Sequence, residues 1–131
     1  MARILVVDDN DALRSIIADF LRIQGHECAE AASVAQARMH LMEKRFDLAV
    51  SDFQMPSESG LDLLRHVTAG FPSTYFILMS GSLDPDLRRK ALALGALCCL
   101  PKPFKLSELL QMVQIVLQPL SPARLCRKSL H

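Results

Sequence analysis

Neither sign of charge dominates this chain, and none of its apolar runs is long enough to cross a bilayer. The first absence removes the electrostatic case for nucleic-acid binding, which rests on a basic excess that neutralises phosphates. The second removes a membrane span, for which about 20 consecutive apolar residues are needed. No hydrophobic leader with a cleavage site is visible either, because Met1-Ala2-Arg3 opens directly into a strand-like run. The expectation is a cytoplasmic protein without a membrane partner. Cysteine is present but unorganised: Cys28, Cys98, Cys99 and Cys126 show no C-x-x-C spacing. The adjacent pair Cys98-Cys99 would point to opposite faces of a strand, so these residues read as reduced core thiols and not as metal ligands. Internal repeats, low-complexity stretches and a second domain are also missing.

What remains is enough for one ordinary domain. The chain has 131 residues, half of them apolar and 22% charged. That composition buries a single sizeable core and argues against disorder. Residues 1 to 117 carry 12 basic and 14 acidic side chains, net -2, whereas residues 118 to 131 add only Arg124, Arg127 and Lys128. We read 1–117 as the domain and 118–131 as a basic tail or a linker cut short.

Strand-like and helix-like patterns alternate along the domain. Ile4 to Val7 is a continuous apolar run, after which Leu13, Ile16, Ile17, Phe20 and Leu21 recur at helical spacing and stop before Gly25. A weak strand around Glu27 to Ala31 precedes Ser33 and Gln36, which resemble a capping box opening a helix that ends near Lys44. Leu48 to Ser51 is the third strand, and the loop Met55-Pro56-Ser57-Glu58-Ser59-Gly60 leads into a helix from near Leu61 to before Gly70. Tyr75 to Met79 is the fourth strand, and Asp84-Pro85 marks a helix start whose end falls at Gly95. Leu97 to Leu100 is the last strand, and Leu106, Leu109, Leu110, Val113 and Leu117 outline a closing helix that Pro119 and Pro122 terminate. Five strands alternating with five helices imply an α/β fold, a doubly wound parallel sheet with right-handed crossovers. The unbroken apolar strands agree, since strands covered on both faces show no polar alternation.

Charged groups gather where these strands run out. Asp8 and Asp9 follow the first strand, Asp52 the third and Lys102 the fifth. Each Asp alone suits an N-cap or a turn. One cap needs only one acid, however, and in an open parallel sheet the reactive crevice lies outside the carboxyl ends of the strands. Clustered carboxylates raise one another's pKa, and a small hard cation such as Mg2+, which prefers oxygen ligands, relieves that cost. Lys102 stands between Pro101 and Pro103, which restrict the backbone and favour a cis Lys102-Pro103 bond aiming the lysine inward. Ser80 ends the fourth strand, before flexible Gly81-Ser82, and offers a hydroxyl there.

With these residues in place the chain resembles a response-regulator receiver domain of two-component signalling, of the chemotaxis-type single-receiver kind. The resemblance runs from Arg3 to about Leu117. It rests on Asp8-Asp9, on D-x-x-M-P in Asp52-Phe53-Gln54-Met55-Pro56, on Ser80 and on Lys102-Pro103-Phe104. It implies a flavodoxin-like sheet of order 2-1-3-4-5, the order for which receivers are a standing example. It also implies that Asp52 accepts a phosphoryl group from a histidine kinase or phosphotransfer protein, and that Asp8, Asp9, Asp52 and the backbone carbonyl of Gln54 hold Mg2+. Lys102 would contact a phosphoryl oxygen and Ser80 would turn inward to another, switching contacts with a downstream protein at the face of the fourth helix, fifth strand and fifth helix. The domain would catalyse only its own phosphorylation and dephosphorylation.

This chain departs from the family pattern at four positions. Cys99 stands three residues before the lysine, where receivers commonly carry Tyr or Phe, so a muted or rerouted change is expected at the output face. Gln54 and Ser82 occupy positions that tune water access to the acyl phosphate, and Phe53 replaces a small aliphatic residue. Two other readings are an interaction module that no longer takes phosphate and an aspartate-nucleophile phosphohydrolase of the haloacid-dehalogenase type. The intact acidic set argues against the first. Gln54, where those hydrolases carry a second Asp, argues against the other. A natural single receiver and one cut from a larger regulator or hybrid kinase both remain open.

Overall fold

A computed structural model of the chain describes residues 1–118. The expectations at Pro119, Pro122 and Cys126 and for the basic tail lie outside the described residues. Strands β1 (Arg3–Val7), β2 (Glu27–Ala31), β3 (Leu48–Asp52), β4 (Tyr75–Ser80) and β5 (Cys98–Pro101) alternate with α1 (Asp11–Ile23), α2 (Val34–Glu43), α3 (Gly60–Gly70), α4 (Pro85–Leu94) and α5 (Leu106–Leu117). The strands form one parallel sheet of order β2-β1-β3-β4-β5.

Successive side chains of a strand point to opposite faces, and that alternation sorts the core into two halves. Leu5, Val7, Ala49, Phe76, Leu78 and Cys99 pack with Val34, Ala37 and Leu41 of α2, with α3, and with Ala91 of α4. Ile4, Val6, Leu48, Val50, Ile77, Met79 and Leu100 pack with Ile17, Ala18 and Leu21 of α1 and with Leu109, Val113 and Val116 of α5. Each large apolar side chain fully buried in this way contributes about 1.5–3 kcal/mol. Cys98 and Cys99 do point to opposite faces, Cys98 against the α1/α5 half and Cys99 into the other.

Local signals set the helix ends. Asn10 caps α1 by accepting from the Leu13 N–H at 3.0 Å, and Asp84 caps α4 from Leu87 at 2.7 Å with Pro85 in the first turn. Gly95 ends α4 at φ 117°, a left-handed conformation that costs glycine little. The expected box at Ser33 and Gln36 is displaced by one residue. Ser33 Oγ accepts from Gln36 N–H at 3.2 Å, but Gln36 Oε1 accepts from the N–H of Ala32, at 2.8 Å. The reciprocal capping box forms instead at Ser59 and Asp62, opening α3.

Strand order reverses between β1 and β3, because the chain leaves β1 toward β2 on one side and returns at β3 on the other. A crevice opens outside the carboxyl ends of strands at such a point. The register Ile4 to Leu48 through Val7 to Ser51 ends both strands level, which brings the residues just beyond Val7 beside Asp52.

Candidate functional site at the strand ends

Asp8, Asp9 and Asp52 each bring a carboxylate oxygen within 4.8 Å of the other two. Asp8 is fully buried, Asp52 is 7% exposed and Asp9 is open to solvent. They line a crevice of about 680 Å³ together with Lys102, Asn10 and the segment Phe53–Pro56 with Ser59. The Lys102 ammonium reaches in from the end of β5 and bridges two of the acids, at 2.9 Å from Asp8 Oδ2 and 3.2 Å from Asp52 Oδ1. The Lys102-Pro103 peptide that follows is cis, as the flanking prolines suggest, and the Lys102 backbone N–H donates to the Ser80 carbonyl at 2.8 Å.

Electrostatics follow from that geometry. Burial pushes the Asp52 carboxyl above the usual range and neighbouring Asp8 and Asp9 push the same way, while Lys102 opposes them. For Lys102, burial works against the ammonium, but Asp8 and then Asp52 outweigh it and raise its pKa. The crevice therefore holds an ionised lysine and a carboxylate whose charge is costly to keep.

Asp8 has both oxygens engaged, Oδ1 by the Asn10 N–H at 2.9 Å and Oδ2 by Lys102. Among the described residues the Asp9 carboxylate has no hydrogen-bond or ion-pair partner, and Asp52 meets Lys102 through Oδ1 alone. Three hard carboxylate donors, one of them at the solvent edge where a cation keeps its waters, suit Mg2+. The donor set contains no sulfur or imidazole that would favour a softer metal.

Three residues missed in the sequence shape this site. Ser51 Oγ donates to the Asp52 carbonyl at 3.0 Å and is fully buried. A Cβ on Gly60 would run into that same carbonyl, so only glycine lets the start of α3 approach the end of β3. Arg14 donates to the Asp8 carbonyl at 2.9 Å. Ser80, by contrast, ends β4 at 1% exposure and does not line the crevice; its hydroxyl accepts from the Ser82 N–H at 3.1 Å. Cys99 is 2% exposed within the core half that includes α4.

The profile of the family described as the response regulator receiver domain matches residues 4–114. The chain belongs to this family. The receiver is 34% identical to the DNA-binding transcriptional regulator NtrC of Azospirillum brasilense across 92% of its own length, and it spans 25% of that relative. The chemotaxis response regulator CheY4 of Vibrio cholerae superposes with a TM-score of 0.84 at 30% identity, covering 89% of this chain and 99% of that one. The response regulator TrrA of Thermotoga maritima, solved in complex with Mg(2+)-BeF, superposes at 0.80 with 27% identity over 89% of this chain and all of that one. The receiver fold expected from the resemblance, order 2-1-3-4-5 included, is the one observed. Receivers are signalling modules that bind Mg2+ in an acidic pocket and interact with histidine kinases and downstream partners. Among the described residues no helix is long and apolar enough to cross a membrane.

Proposed function

We propose that Asp52 is the phosphoacceptor of a two-component phosphorelay. One observation carries this reading: the half-open carboxylate of Asp52 sits at a strand end, 3.2 Å from the Lys102 ammonium and within the acidic cluster. An Asp52 oxygen attacks the phosphorus of a phosphohistidine on a histidine kinase or phosphotransfer protein. The phosphorus–nitrogen bond breaks with its electron pair going to the imidazole, leaving an acyl phosphate on Asp52. Lys102 holds a transferring phosphoryl oxygen, releasing part of its hold on Asp52. Asp8, Asp9, Asp52 and the Gln54 carbonyl hold Mg2+, which supplies charge neutralisation in a reaction that needs chiefly positioning and electrostatic stabilisation.

Ser80 turns its hydroxyl from the Ser82 N–H toward the new phosphoryl group. That rotation is the switch, and it is read by a protein partner at the α4, β5 and α5 face, with no nucleic acid and no membrane. The receiver turns over no external substrate beyond its own phosphorylation and dephosphorylation, and its working compartment is the cytoplasm. Residues 1–117 form the receiver, and 118–131 are its tail or linker.

The test is intact-mass measurement after exposure to a small phosphodonor, with and without Mg2+, on the native chain and on Asp52→Asn. A gain of one phosphoryl group that needs both Mg2+ and Asp52 supports the assignment. No such gain overturns it.

A further inference from the structure

Of the three acids in the crevice, Asp9 is the one whose carboxylate makes neither a hydrogen bond nor an ion pair among the described residues, whereas Asp8 and Asp52 both meet Lys102. No side-chain bond among the described residues fixes it beside Asp8 and Asp52, which leaves its main chain to place it. That main chain is pinned from two sides. The Asp8 N–H donates to the Ala31 carbonyl at 3.1 Å, and the Asp8 carbonyl, which belongs to the peptide leading into Asp9, accepts from Arg14 Nη1 at 2.9 Å. Arg14 is only 15% exposed and is itself fixed, with Nη1 2.8 Å from Asp11 Oδ1 and Nε 3.3 Å from Glu30 Oε1. Arg22 grips the other oxygen of Glu30 at 3.3 Å and the Cys28 carbonyl at 3.1 Å, so Glu30 is held between two guanidinium groups.

We propose that Arg14 is the positioning residue for Asp9: by holding the Asp8–Asp9 peptide it fixes where the solvent-side carboxylate of the metal site stands. The inference rests on the reading of Asp8, Asp9 and Asp52 as the Mg2+ site. Arg14 touches neither metal nor phosphoryl group; it acts through one carbonyl, with Glu30 orienting it from β2. Outer-shell partners of this kind commonly change metal affinity by about 10–100-fold.

The sign of the effect separates positioning from simple charge. Taking a cation away from three acids strengthens attraction for Mg2+, whereas releasing the peptide that places Asp9 weakens it. Calorimetric titration of Mg2+ into the full chain, with Arg14→Met, Arg14→Lys and Glu30→Gln, reads this directly. We expect Arg14→Met to bind about tenfold more weakly, with Arg14→Lys and Glu30→Gln between it and the native chain. A second readout needs no metal: amide hydrogen exchange at Asp9 and Asn10 accelerates in the same order. Should Arg14→Met fail to fold, the other two variants decide by the same ordering. A native chain that binds Mg2+, with folded variants matching it in affinity and exchange or binding more tightly, overturns the inference alone. A native chain that binds no Mg2+ overturns the metal reading and the inference with it.

Discussion

The two sides of the sheet's carboxyl end are built differently. Between β1 and β3 the framework is tied down while the Asp9 carboxylate stays open: Asp8 is held by Asn10 and Lys102, the Asp8 carbonyl by Arg14, and the Asp52 carbonyl by Ser51 and the close approach of Gly60. Beyond β4 the ties are few. The Ser80 hydroxyl accepts a single bond, from the Ser82 N–H, and the residue that faces the α4 side from β5 is a thiol, not a ring. A reaction that needs fixed charges gains from the first arrangement, because preorganised groups need no rearrangement as charge develops. A switch gains from the second, because a bistable element must have somewhere to go.

The contrast breaks most severely at Lys102, whose ammonium meets Asp8 and Asp52 and whose N–H meets the Ser80 carbonyl. Lys102→Met is expected to slow Asp52 phosphorylation by a small donor about 100-fold, as loss of a preorganised charge does. Stopped-flow or quench-flow rates at saturating Mg2+ check it, and a loss under about threefold would place the ammonium outside the reaction. Next comes the packing behind Asp52. Gly60→Ala pushes a methyl group into the Asp52 carbonyl and is expected to destabilise the fold by about 2 kcal/mol, read from the denaturant midpoint.

The loose side predicts a smaller effect, seen in amide chemical shifts. Phosphorylation should move resonances strongly around Asp8, Asp9 and Asp52 and weakly along α4, β5 and α5, because Cys99 lacks the bulk to push neighbouring side chains. Equal perturbation of both regions would remove the distinction. Smallest, and outside both, is Cys28, whose thiol burial pushes up to about 11 from 9.0. The folded state therefore keeps a proton that the unfolded chain releases first, so this contribution is intact below about pH 9 and is lost as pH rises through about 11. The stability gap between the native chain and Cys28→Ala should shrink across that window in denaturant titrations.

Asp8, Asp9, Asp52 and Lys102 were legible because each lies within two residues of the end of an apolar run, and strand ends in a doubly wound sheet converge. Strand limits were less so. Asp52 and Ser80 count as strand because they pair with Met79 and Pro101, and hydropathy carries no record of that pairing. Gly60 and Arg14 were hidden for a related reason. Their roles lie in approaches to a carbonyl elsewhere in the chain, and no periodicity marks which carbonyl that is. The Ser59-Asp62 box was readable in principle as S-x-x-D before an apolar run, but the surrounding loop signals masked it.

Lys102 has one more consequence. The crevice carries its own tethered counterion, so a cation entering it would meet Asp8 and Asp52 oxygens that the Lys102 ammonium already touches. Uptake of a dissolved cation there would be an exchange of partners, in which part of the carboxylates' attraction for the ion goes to displacing the ammonium.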